Sequence, residues 1–120
     1  MFFFTFKKIN KMVEYNFPNH RRGTTFKAKR ITVSLDLTGA RIDLHFKHIS
    51  SNKIIFSWST SDGTITFVDA AAGIFLLNKV KLSPPASLYE YDAQLIKADG
   101  DVIPLLYGVM RVTQNITQVL

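Results

Sequence analysis

Apolar and polar residues alternate along most of this chain with a period of two. In "ARIDLHFK" (residues 40–47), Ile42, Leu44 and Phe46 fall on one side, and Arg41, Asp43, His45 and Lys47 on the other. That spacing is the signature of a strand buried on one face. "KIIFSWS" (53–59) repeats it with Ile54, Phe56 and Trp58 inward, after the hairpin-length polar connection "HISSN" (48–52). "TITFV" (64–68) predicts a further strand behind the turn "SDG", and "GIFLL" (73–77) a short one covered on both sides.

Two places break the rhythm. In "TFKAKRITVSL" (25–35), Phe26 and Ala28 share one parity and Ile31 and Val33 the other. The switch predicts a bulge, or a strand that changes sheets. Downstream, "SLYEYDAQLIKADGDVIPLLYGVMRVTQ" reads as a long hairpin, with Tyr89, Tyr91, Ala93 and Leu95 on one face and Glu90, Asp92 and Gln94 on the other. "ADGD" (98–101) supplies its turn, and Pro104, which has no N–H to donate, predicts an edge or a break in the returning strand. "LSPPAS" (82–87) is a loop, since two prolines exclude a helix interior and a central strand. Nothing sustains a 3.6-residue period beyond a possible turn at Ala70–Ala72. Seven or eight short strands at such spacing predict an all-β, Ig-like antiparallel β-sandwich.

At 120 residues the chain is long enough for one core without covalent staples, and 47% hydrophobic content with ten Phe suits a folded domain. Cysteine is absent, which excludes disulfides, zinc-thiolate sites and a thiol nucleophile. The net charge of +6 is unevenly placed. Residues 1–30 carry eight basic groups against Glu14 alone, whereas the remaining 90 carry seven basic and eight acidic groups. A near-neutral body therefore follows a basic leading segment, a distribution that suits nucleic acid, an anionic surface or an acidic protein partner, and equally a segment that is simply solvated.

The opening "MFFFTFKKINKM" has its apolar run before its lysines, the reverse of a secretory signal, and either Met1 or Met12 can serve as initiator. No stretch reaches the roughly 20 apolar residues of a membrane-spanning helix. The chain divides accordingly: residues 1–20 form a basic, Phe-rich arm, 21–117 the sandwich, and 118–120 a C-terminal tail. Phe2, Phe3, Phe4, Phe6, Lys7, Lys8, Lys11, Arg21 and Arg22 are the candidate interface residues, because clustered exposed aromatics and cations mark contact surfaces. Within "NHRRGTTFKAKR" (19–30), Arg21, Arg22, Lys27, Lys29 and Arg30 accompany His20. A solvated strand edge, its long basic side chains covering neighbouring apolar surface, is the first reading there. An acidic protein partner comes next and nucleic acid last, since only Phe17 and Phe26 lie near enough to stack on bases. Lysines on a strand edge also deter unwanted strand addition.

Reactive chemistry finds little support in the pattern. His45 shares a polar face with Asp43 and Lys47, but His48 falls on the opposite parity. A metal site needs three or four convergent ligands at about 2.0–2.2 Å, and only two are in reach of one face. No G-x-S-x-G elbow surrounds Ser34, Ser57, Ser59 or Ser61, and the glycines are scattered singly rather than gathered into a phosphate cradle. Glu90 and Asp92 share a strand face, as any alternating strand of this composition would allow. The expectation is a non-enzymatic protein with no catalytic residues, metal or cofactor.

Three elements in order carry a family resemblance: "RRGTTF" (21–26), "DLTGARIDLHFKH" (36–48) and "YEYDAQLIKADGDVIPLLYGVMRVTQNIT" (89–117). Together they resemble the small β-sandwich domain of tailed-phage tail and baseplate proteins, best known at the N-terminus of siphophage upper baseplate proteins. The matching positions are Arg22, Gly23, Asp36, Leu37, Thr38, Gly39, Gly73, Tyr89, Tyr91, Asp92, Gly100 and Gly108, while Thr24 stands where that pattern usually has an acidic residue. The resemblance implies a stand-alone virion structural or adaptor subunit of a tail, baseplate or head. It would be assembled in the bacterial host cytoplasm and would dock onto other virion proteins in multiple copies. The alternative from another class is a carbohydrate- or host-surface-binding β-sandwich, which would need Trp58 and the tyrosines exposed for stacking.

Overall fold

The structure, a computed structural model, describes residues 2–6 and 13–114. Its strands in chain order are β1 (Phe2–Phe6), β2 (Val13–Glu14), β3 (His20–Arg21), β4 (Thr24–Phe26), β5 (Lys29–Val33) and β6 (Arg41–His48). There follow β7 (Ile54–Ser59), β8 (Ile65–Asp69), β9 (Ile74–Leu77), β10 (Val80–Leu82), β11 (Ser87–Ile96) and β12 (Val102–Thr113). The protein is all-β, with no helix among the described residues. Among the described residues twelve strands replace the expected seven or eight, because β2, β3, β4 and β10 span only two or three residues, too few to display an alternation.

The largest sheet runs β2-β12-β11-β6-β7, with β3 also on β12. A second runs β1-β5-β9-β8, and β4 pairs with β10 as a separate ribbon. The parity switch in residues 25–35 is a change of sheets: β4 joins the ribbon and β5 the second sheet. The pairing is not purely antiparallel as expected. β1 runs parallel to β5, and β2 and β3 run parallel to β12. None of these pairs is linked by a tight hairpin, the connection that would force antiparallel pairing.

One buried cluster joins the layers. Ile42, Leu44, Phe46, Trp58, Leu95 and Met110 of the large sheet meet Ile31, Val33, Ile65, Phe75 and Leu77 of the second. Phe46 lies at its aromatic centre, with ring centroids 4.4 Å from Phe56, 4.9 Å from Tyr91, 5.6 Å from Trp58 and 5.7 Å from Phe17. Burial of each such side chain contributes about 1.5–3 kcal/mol. The β11–β12 hairpin follows its predicted faces, with Tyr89, Tyr91, Ala93 and Leu95 buried. Its register slips between Ala93 and Gln94, beside Pro104, where the proline leaves the ladder one donor short. A second slip, between Phe46 and Lys47, puts Ile54 rather than Ile55 opposite Lys47. Ile54 is consequently 52% exposed instead of inward, the expected consequence of a bulge reversing side-chain parity.

The packed body reaches further upstream than the boundary expected at residue 21. Phe17 is buried, Tyr15 and Phe17 donate backbone N–H groups to the carbonyls of Tyr107 and Val109, and the Tyr91 hydroxyl donates to the Tyr15 carbonyl at 2.6 Å. Gly108 permits this approach, since a Cβ there would lie 2.0 Å from the Tyr15 carbonyl oxygen. Lys29, expected in a basic surface stretch, is buried here instead. Its Nζ donates to the Tyr15 hydroxyl at 2.8 Å and lies 4.5 Å from the Phe17 ring centroid. Burial lowers its pKa from 10.5 to about 8.

Candidate functional site

The surface carries its charge in two separate places. The first is built by β3, β4 and β10. β3 lies on the C-terminal end of β12, and the Arg22 N–H donates to the Thr113 carbonyl at 2.8 Å. The chain then turns at Gly23, whose φ of 82° lies in the region that glycine enters without strain. It returns as β4 along β10, with Thr25 opposite Lys81 and Phe26 opposite Val80. Phe26 and Leu82 point inward and are buried. Directly opposed residues share a face, so Thr25, Lys27, Lys79 and Lys81 line the outer side of the ribbon. Arg21 and Arg22 stand exposed at its turn.

These five cations, Arg21, Arg22, Lys27, Lys79 and Lys81, form no ion pair among the described residues; the two ion pairs found there are Arg41–Asp43 and Lys47–Glu90. Arg22 donates from Nε to the Ser83 carbonyl at 3.3 Å, which places its guanidinium without neutralising it. Like charges facing one another across a ribbon are mildly unfavourable, so the arrangement leaves a field that an anionic group would relieve. His20 lies beneath the turn, buried, with Nε2 at 3.0 Å from the Thr24 carbonyl oxygen. Desolvation pushes its pKa below the usual histidine value, keeping it out of the cationic set at neutral pH.

The second place is the outer face of the large sheet. Glu14, Tyr107, Asp92 and His45 stand side by side across β2, β12, β11 and β6, and Val109, Glu90, Lys47 and Ile54 form the adjoining row. These residues line an open groove of about 580 Å³. Its charge is three carboxylates against one ammonium, with Lys47 3.4 Å from Glu90. Glu14 and Asp92 make no ion pair among the described residues. Arg111, two residues beyond Val109 on the same face of β12, ends the acidic stretch.

The predicted polar face of β6 is therefore real, and Arg41, Asp43 and Lys47 on it have individual structural partners. Asp43 accepts from Ser59 Oγ at 2.6 Å and pairs with Arg41 at 2.9 Å. His48 leaves the row at the strand end, where its Nδ1 lies 2.7 Å from Ser50 Oγ and its Nε2 2.7 Å from Ser87 Oγ. Among the described residues no three His, Asp or Glu side chains gather as a metal site would require.

Of the residues predicted as an interface, Phe2, Phe3, Phe4 and Phe6 belong to β1, whose backbone pairs with β5. Lys7, Lys8 and Lys11 lie outside the described residues. Arg21 and Arg22 join Lys27 in the basic ribbon. Sequence reasoning missed Lys79 and Lys81, although "KVK" already placed two lysines on one side of a strand. What it lacked was the pairing of β10 with β4. Trp58, which a sugar-stacking site would need at the surface, is 1% exposed and donates its indole N–H to the Asn78 carbonyl at 3.2 Å. Tyr107, at 41% exposure, is the aromatic ring that the groove presents.

No family model matches this chain, and a search of curated proteins returns no significant match.

Proposed function

We propose that this chain is a non-enzymatic structural or adaptor subunit of a tailed-phage particle, in its tail, baseplate or head, which docks through protein–protein contacts. The observation that carries the docking role is the ribbon of five exposed cations that make no ion pair among the described residues, set on a β-sandwich. A scaffold of this kind holds its charged groups in fixed positions, which favours recognition of a complementary surface.

The particle context rests on the resemblance of residues 21–117, and the positions that carry it have turn and core roles in the fold. Asp36 Oδ1 accepts from the Thr38 N–H at 2.9 Å, and Gly39 follows with a φ of 74°. Gly73 holds a φ of 79° where a Cβ would come within 2.0 Å of the Val33 carbonyl oxygen. Tyr89 and Tyr91 fill the core while their hydroxyls donate to the carbonyls of Pro85 and Tyr15. The carbohydrate-binding alternative has less support, because Trp58 is sealed in the core.

Mass spectrometry of purified particles tests the proposal. The chain should be present in several copies per particle, and Arg21→Glu with Lys27→Glu should remove it from particles while leaving it folded. Its absence from wild-type particles would end this reading.

A further inference from the structure

The basic ribbon and the acidic groove are opposite in net charge; among the described residues the ribbon makes no ion pair, and in the groove only Glu90 is paired, with Lys47. The ribbon offers Arg21, Arg22, Lys27, Lys79 and Lys81, and the groove offers Glu14, Asp92 and Glu90 around Tyr107. The groove also presents apolar surface that solvated charge does not require: Tyr107 and Ile54 are 41% and 52% exposed there. The two lie on different elements, β3, β4 and β10 against the outer face of β2, β12, β11 and β6, so one copy can present both at once.

We propose that the partner of the basic ribbon is the acidic groove of a second copy of this chain. The contact joins two different surfaces head to tail. Such a contact leaves one free ribbon and one free groove on every pair, so it propagates into a ring or an open row rather than stopping at a dimer. Lys79 and Lys81 face Glu14 and Asp92 across it, and their aliphatic stems cover Tyr107. Opposed potentials on the two surfaces orient the encounter, and like-charged faces repel, which selects ribbon-to-groove over ribbon-to-ribbon contact. The inference deepens the proposed particle role and takes from it only the high local copy number at which modest contacts add up.

Sedimentation of the full chain at low ionic strength tests it. Wild-type protein should form oligomers larger than dimers that dissociate as salt rises from about 0.05 M to about 0.5 M, where screening shortens to a few ångströms. The ribbon variant Lys79→Glu/Lys81→Glu and the groove variant Glu14→Lys/Asp92→Lys should each weaken association at least about tenfold. Mixed in equal amounts, they should assemble again, because each then finds a complementary charge on the other. The buried emission of Trp58 reports that both variants remain folded. A wild-type chain that stays monomeric, assembly indifferent to either reversal, or a mixture that fails to recover would overturn the proposal. So would salt-sensitive capture of a short oligonucleotide by a monomeric wild-type chain that Lys79→Glu/Lys81→Glu abolishes. Particle incorporation is read separately, so a chain that enters particles without self-associating would refute this contact and leave the particle role standing.

Discussion

The large sheet and the smaller strands around it are assembled by different means. β6, β11 and β12 have eight, ten and twelve residues, and β11 pairs along its length with both of the others. Their inner faces hold Phe46, Tyr89, Tyr91 and Leu95. The second sheet and the ribbon are made of pieces no longer than five residues which, apart from the β8–β9 hairpin, are brought together from distant parts of the chain. Long neighbouring strands supply many cross-strand contacts for little loop-closure cost; short, distant ones depend on individual residues that allow close approach. The regular sheet is therefore the place to look for stability carried by side-chain volume. In the smaller elements, stability rests on backbone geometry, and there the basic surface is displayed.

The largest expected effect lies in the large sheet. Phe46→Ala opens a cavity among four aromatic rings and should cost about 3–5 kcal/mol in urea denaturation. A loss below about 1 kcal/mol would show that the aromatic cluster is not the centre of stability.

In the smaller elements the expected determinant is space for the backbone. Gly73→Ala places a Cβ 2.0 Å from the Val33 carbonyl oxygen at a φ of 79° and should cost about 2–4 kcal/mol. Gly100→Ala, in the β11–β12 turn of the large sheet, carries a similar conformational penalty at a φ of 92°, but its Cβ meets nothing within 4 Å. It should cost about 1–2 kcal/mol. Equal losses at the two positions would remove close approach from the account.

The pH-dependent effect concerns Lys29, which joins the two regions through Tyr15. Its folded pKa of about 8 lies below the ordinary 10.5, so the unfolded chain holds its proton to higher pH than the native one. Stability should rise as pH increases from about 8 toward 10, by at most about 1.4 kcal/mol per pH unit. Above pH 10 the trend should reverse, since burial raises the pKa of Tyr15 and Tyr91 and the unfolded tyrosines ionise first. Lys29→Met should flatten the rise between pH 8 and 10 in equilibrium denaturation. A rise that persists in that variant would assign it to another group.

Residue order alone determined the fold class, the faces of β6 and β11, the Asp-Gly hairpin and a break in strand parity after Phe26, which the pairing resolves as a change of sheets. Each follows from local alternation or from residues with restricted backbone geometry, both of which are visible within a few positions. Tertiary structure decided the rest. The bulge beside Ile55 turned Ile54 outward, and the parallel seats of β2 and β3 on β12 drew Tyr15 and Phe17 into the body. The long-range pairing of β10 with β4 added Lys79 and Lys81 to a basic cluster that ended, in sequence, at Arg30. The same packing removed Lys29 from that cluster. Which distant segments share an edge depends on the packing of the whole core, and no short window of residues contains that information.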